Sequence, residues 1–175
     1  MNQTTENNYP NYQSPFKDIF EAAKKGTVKD LQYFVETKGI EVKVSKDDGR
    51  TLLHLAASNN PNIEVIEYLI SQGIDVNALD YFNEIPLHCG ARNFNIEIVK
   101  YLISQDAKVN DECEQGKTPL HIAVGYSNTE AVKYLISQGA DVNAWRFDFQ
   151  GGCGTPLNYA KTEEIKSILR EAGAK

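Results

Sequence analysis

Long apolar runs are absent from this chain. No stretch approaches the roughly 18 consecutive apolar residues of a membrane-spanning helix. Residues 1–15 are rich in Asn, Gln and Thr, with neither the basic start nor the apolar centre of a secretory signal, and read as a flexible polar tail. Cysteine is scarce: Cys89, Cys113 and Cys153 form an odd set without Cys-x-x-Cys spacing or an adjacent histidine pair. That argues against a disulfide framework or a zinc site and suits a reducing, cytoplasmic compartment. Runs of Lys and Arg are missing as well, and the formal net charge is -6. Nucleic acid is therefore a poor partner, since affinity for it comes from cations that neutralise phosphates. The glycine-rich Gly151-Gly152-Cys153-Gly154 has no following Lys-Ser/Thr for a phosphate loop, and Asp47-Asp48-Gly49 lacks the acidic ladder of a calcium loop. No cofactor, metal or membrane contact is expected.

What is present is a repeat. The run Tyr68-Leu69-Ile70-Ser71-Gln72 returns at Tyr101–Gln105 and Tyr134–Gln138, each time 33 residues on. Val76-Asn77 recurs as Val109-Asn110 and Val142-Asn143. A third marker runs Thr51-Leu52-Leu53-His54, Ile85-Pro86-Leu87-His88, Thr118-Pro119-Leu120-His121 and Thr155-Pro156-Leu157-Asn158. A period of 20 to 50 residues signals stacked units that share one core. With 41% hydrophobic and 24% charged residues, the chain has the composition of a folded protein.

Each unit reads as two helices. Pro86, Pro119 and Pro156 suit the first position of a short helix, where a missing N–H costs nothing. Asn62, Asn95 and Asn128 then stand as N-caps, with Glu64, Glu97 and Glu130 in the first turn. Apolar pairs four apart, such as Val65/Ile66 and Leu69/Ile70, make the buried stripe of a second helix. Gly39, Gly73, Gly139 and Gly173 follow these stripes, where a left-handed residue ends a helix, and Asp106 takes that place once.

Thr118-Pro119-Leu120-His121, followed by Ala123 and closed by Gly139-Ala140-Asp141-Val142-Asn143-Ala144, resembles the ankyrin repeat. The likeness spans about residues 17 to 175. It implies an all-α repeat solenoid of stacked helix-turn-helix units joined by β-hairpin loops, with a single domain over 16–175. Its units are expected at about 17–45, 46–79, 80–112, 113–145 and 146–175, the first and last serving as caps. The resemblance also implies that His54, His88 and His121 hydrogen-bond within their motifs, incompletely at His88, where Ile85 replaces Thr. Cys89 aligns with Leu55 and Ile122 on the buried side, whereas Cys113 and Cys153 fall in loops and are expected to be more exposed.

Ankyrin loops and first helices line a concave groove that binds proteins, so the resemblance implies a non-catalytic interaction module. Carried over by position, the third unit offers Tyr81, Phe82 and Glu84 at its loop tip, and the fourth offers Glu114. Arg92, Asn93 and Tyr126 lie on the groove side of first helices, while Leu79, Glu112 and Trp145 precede new units. Between Val142 and Thr155 the chain spends 13 residues where the corresponding intervals spend nine. This lengthened hairpin reads Trp145-Arg146-Phe147-Asp148-Phe149, and alternation places Trp145, Phe147 and Phe149 on one face. Exposed aromatics anchor interfaces, although these rings could also cover the shortened last unit. Acids around this centre, among them Asp80, Glu84, Glu112 and Asp148, favour a partner with a mixed or mildly basic rim. The alternatives are a ligand or catalytic site in the last hairpin using Cys153, Asp148 or Arg146, and a self-associating array. On its own the chain is expected to be a monomer.

Overall fold

The computed structural model of the protein describes residues 12–147 and 153–175. Phe149 and Asp148 therefore lie outside the described residues. Five helix pairs stack in chain order: α1 Ile19–Lys25 with α2 Val28–Gln32, α3 Leu52–Asn59 with α4 Ile63–Ser71, α5 Pro86–Ala91 with α6 Ile96–Ser104, α7 Pro119–Gly125 with α8 Thr129–Ser137, and α9 Pro156–Tyr159 with α10 Glu163–Glu171. First helices pack on first helices, and second helices on second helices. None exceeds nine residues, too short to hold in water alone, so tertiary packing must supply the stability. The supply is visible in Leu52, Ile66, Leu69, Leu87, Leu102, Leu120 and Leu135, all fully buried. Each such side chain contributes about 1.5–3 kcal/mol by leaving water. Ala22, Ala23, Ala56, Ala57 and Ala91 line the first helices and let their backbones approach closely.

The caps follow the local chemistry. Proline occupies the first turn of α5, α7 and α9. Asn95 accepts from the Glu97 N–H and Asn128 from the Ala131 N–H. Asn62 holds the cap position of α4 without that bond, and its amide donates instead to the Gly26 carbonyl. Gly39, Gly73, Gly139 and Gly173 all have positive φ, and Asp106 does too, at 65°. The first unit carries one residue more between Tyr33 and Gly39 than later units carry between Tyr68 and Gly73. The extra residue is absorbed as a π-helical continuation of α2 over Tyr33–Thr37, the usual way an α-helix accommodates an insertion.

Side-chain hydrogen bonds tie each unit to its neighbour along three lines. The first uses the histidines. The backbone N–H of Thr51, Ile85 and Thr118 donates to Nδ1 of His54, His88 and His121 respectively. A backbone N–H can only donate, so each ring is the neutral Nε2–H tautomer. Nε2–H then donates across to the next loop, at the carbonyls of Glu84 (2.9 Å), Lys117 (2.9 Å) and Gly154 (3.4 Å). The Thr51 and Thr118 hydroxyls also touch Nδ1, a contact Ile85 cannot make. In the last unit Asn158 performs the near half alone, accepting from Thr155 N–H at 2.7 Å.

A second line runs through Asn60, Asn93 and Asn128, whose amides donate to carbonyls at the end of the preceding first helix. By period Tyr126 stands where Asn60 and Asn93 stand. Ser127 adopts φ 57° there, and Asn128 turns inward to take over the bridge. The third line is Asn77, Asn110 and Asn143. Each donates to a carbonyl ending the next second helix, at Asp106, Gly139 and Gly173, and accepts a backbone N–H two residues further on.

The segment expected as a polar tail is in part seated on the fold. The buried Asp30 carboxylate accepts from Tyr12 Oη (2.5 Å), Ser14 Oγ (2.9 Å), and the N–H and hydroxyl of Thr27. Burial works to raise the pKa of this carboxyl, but these donors outweigh it and hold it below its ordinary value. The hydrogen bond to Asp30, helped by burial, pushes the Tyr12 phenol up to about 12.

Two consequences can be measured. Asp106→Gly should stabilise the array by about 0.5–1 kcal/mol, because glycine carries no penalty at positive φ. A thermal melt should show a rise of about 2 °C, and a fall would contradict the strain at this cap. The second concerns acid. Burial pushes all three histidines below their ordinary pKa, and His121 to about 4, against the opposing pull of the Gly154 carbonyl. The unfolded chain thus binds the extra proton first as pH falls. The stability from His121 is complete above pH 6.5, declines below it and is gone once pH has passed through about 4. His121→Asn keeps the acceptor for Thr118 and loses the titration. It should lower the urea midpoint at neutral pH by an amount equivalent to about 1 kcal/mol, yet flatten the decline between pH 6.5 and 4; an unchanged decline would contradict the assignment.

Candidate protein-binding surface

The loops between units are each closed by one hairpin-type hydrogen bond: Lys46 N–H to Arg50 O, Asp80 N–H to Glu84 O, and Cys113 N–H to Lys117 O. Successive tips join through Tyr81 N–H to Asp48 O and Glu114 N–H to Phe82 O. The last loop alone forms regular strands among the described residues, β1 Arg146–Phe147 and β2 Cys153–Gly154, antiparallel with Arg146 opposite Gly154 and Phe147 opposite Cys153.

The first residue of each of the last three loops points inward. Asp80, Cys113 and Arg146 follow one another at 33 residues and are all buried. Cys113 is therefore not the exposed loop thiol that its position suggested, because the hairpin bond turns its side chain under the loop. Cys153 is exposed. Cys89 is buried as expected, and burial, then the charge of Glu84, pushes its thiol up to about 12, which makes it inert near neutral pH.

Asp80 uses its inward position twice. Its Oδ1 accepts from Phe82 and Glu84 N–H, shaping the tip, and its Oδ2 accepts from Arg50 Nε at 3.2 Å. Glu84 pairs with Arg92 at 2.6 Å and with Arg50 at 3.5 Å, and the Arg92 guanidinium lies 5.9 Å from the Tyr126 ring centre. Two acids are thus matched by two arginines. The acidic lean expected around the loops is largely neutralised here, and Glu84 serves to hold Arg92 in place. The Asn93 side chain is likewise engaged with the neighbouring unit.

At the last hairpin the alternation is the reverse of an ordinary strand. Arg146 points in, its guanidinium 4.0 Å from the Tyr159 ring centre, a favourable cation–π distance. Trp145 and Phe147 point out, 61% and 63% exposed. Tyr81, Phe82, Leu79 and Tyr126 are also exposed, as are Glu112 and Glu114. Phe94, 71% exposed, escaped the sequence reading, which considered loops and first helices. It lies between α5 and α6, and the signal was available: its counterparts by period are Pro61 and Ser127.

Both nitrogens of each histidine are committed to backbone groups, and among the described residues no group of three or more His, Cys, Asp or Glu is placed to hold a metal. No helix among them is long and apolar enough to cross a membrane. Comparison with known families matches the family of ankyrin repeats in three overlapping copies, over residues 19–113, 80–146 and 109–174. Ankyrin repeats are generally protein–protein interaction modules and typically non-enzymatic. The matched span, the stacked helix pairs and the histidine contacts agree: this chain belongs to the ankyrin-repeat family.

Proposed function

We propose that this chain is a non-catalytic binding module, a monomer on its own, that holds a protein partner against its loops and first helices. One observation carries the reading: on the lengthened hairpin the charged residue is inside and the large rings are outside. Side chains such as Trp145 and Phe147 are unfavourable in water and are the commonest anchors of protein interfaces. Tyr81, Phe82 and Leu79 extend the apolar contact along the third unit, and Tyr126, steadied by Arg92, lies in the fourth. Bonds between successive tips fix the loops around Asp48, Phe82 and Glu114, so little ordering entropy is lost there on binding. The neutralised Arg50, Asp80, Glu84 and Arg92 shape the surface, while Glu112 and Glu114 form its polar rim.

The test is affinity capture from cells of the source, repeated with Trp145→Ala/Phe147→Ala. The double variant should lose partners held by the wild type, each truncation weakening binding by about 2 kcal/mol, with the melting temperature changed by about 2 °C or less. Capture of the same partners at equal affinity, or unfolding of the variant, would overturn the assignment.

A further inference from the structure

The clefts between loops and first helices change charge along the array. At its beginning, a cleft of about 430 Å³ is lined by Asp18, Asp47 and Asp48, with Lys46 as the one cation among its described lining residues. In the middle the acids are matched by arginines. At the far end, between α7, α9 and the last hairpin, a cleft of about 260 Å³ is lined by Lys117, Arg146 and Lys161 beside Ile122, Tyr126 and Tyr159, with no carboxylate among its described lining residues. A locally cationic cleft in a chain of net charge -6 is not a product of composition. Lys117 Nζ donates to the Gln115 side chain, and among the described residues neither Lys117 nor Lys161 makes an ion pair. The Tyr159 ring forms part of the same wall, with the Arg146 guanidinium 4.0 Å from its centre.

Resting on the protein-binding reading, we propose that this cleft receives the carboxylate of an Asp or Glu from the partner, next to an apolar or aromatic residue that covers Trp145 and Phe147. The two lysines supply donors, and charge-assisted bonds of this kind are stronger than neutral ones. Ile122 and Tyr126 supply an apolar wall beside them. The acidic cleft at the opposite end would repel the same carboxylate, so charge fixes which way the segment lies. A nucleic-acid backbone fits less well, because its repeated phosphates would meet those acids.

The experiment selects binders from a random peptide library on three forms of the full chain: wild type, Lys117→Glu/Lys161→Glu, and Trp145→Ala/Phe147→Ala. Lys161 is exposed and Lys117 half-buried, and melting curves check that each variant folds. Peptides chosen by the wild type should be enriched in Asp or Glu at a constant distance from an apolar residue, and should bind the charge-reversed form about tenfold or more weakly by fluorescence anisotropy. Selected peptides without acidic preference, or with equal affinity for the charge-reversed form, would overturn the carboxylate cleft and leave the binding surface standing. Failure of the wild type to select anything beyond what the aromatic variant selects would overturn both. A labelled DNA oligonucleotide that binds the wild type as tightly as the peptides would also overturn the proposal.

Discussion

The structure depends on the satisfaction of backbone groups at the edge of each unit by side chains of the adjoining one. Short helices leave much of their backbone unpaired at the ends, and nine-residue helices are mostly ends. Histidine Nε2–H groups take the carbonyls of the following loop, and Asn60, Asn93 and Asn128 take those of the preceding helix. Asn77, Asn110 and Asn143 then grip a carbonyl and an N–H of the next unit together. The apolar core makes stacking favourable, but it is non-directional. The hydrogen bonds set the register, and the register places every loop.

Loop placement is what turns a repeat into a surface. Because the slots of Asp80, Cys113 and Arg146 recur at one interval, the residues flanking them face outward in each of these three loops, whatever their polarity. At the third unit that throws out Leu79 and Tyr81, and at the last it throws out Trp145 and Phe147. The inward slot accepts a carboxylate, a thiol and a guanidinium only because each finds its own compensation: Arg50 for Asp80, burial as a small hydrophobe for Cys113, and the Tyr159 ring for Arg146. The variable chemistry of this surface therefore rests on a constant backbone frame.

Much of the frame was legible in the sequence. Pro at the start of first helices and Gly at the end of second helices each have a local physical cause, so position alone identifies them, whereas the histidine contacts came from the family resemblance. What escaped the reading depends on side-chain direction or on partners distant in sequence. The burial of Cys113 and the inward turn of Arg146 follow from the hairpin bond and not from composition. Glu84 reads as a free acid until Arg92 and Arg50 are brought beside it. Asn128 reads as a simple cap, and its bridge to Ala91 and Asn93 arises because Tyr126 has displaced the usual asparagine. Tyr12 and Ser14 are polar and near the terminus, so nothing local announces Asp30 as their acceptor. Phe94 could have been found by comparing the connection between helices across units.

The central claim is that the aromatic rings of the last hairpin are exposed in the folded chain and become covered by a partner. Trp145 is the only tryptophan, so its fluorescence reports on that position alone. The account predicts native emission close to that of the unfolded chain and readily quenched by acrylamide, shifting to shorter wavelength with loss of quenching when partner is added. Short-wavelength, quench-resistant emission from the folded chain without partner would show the ring packed against the array, and would contradict it.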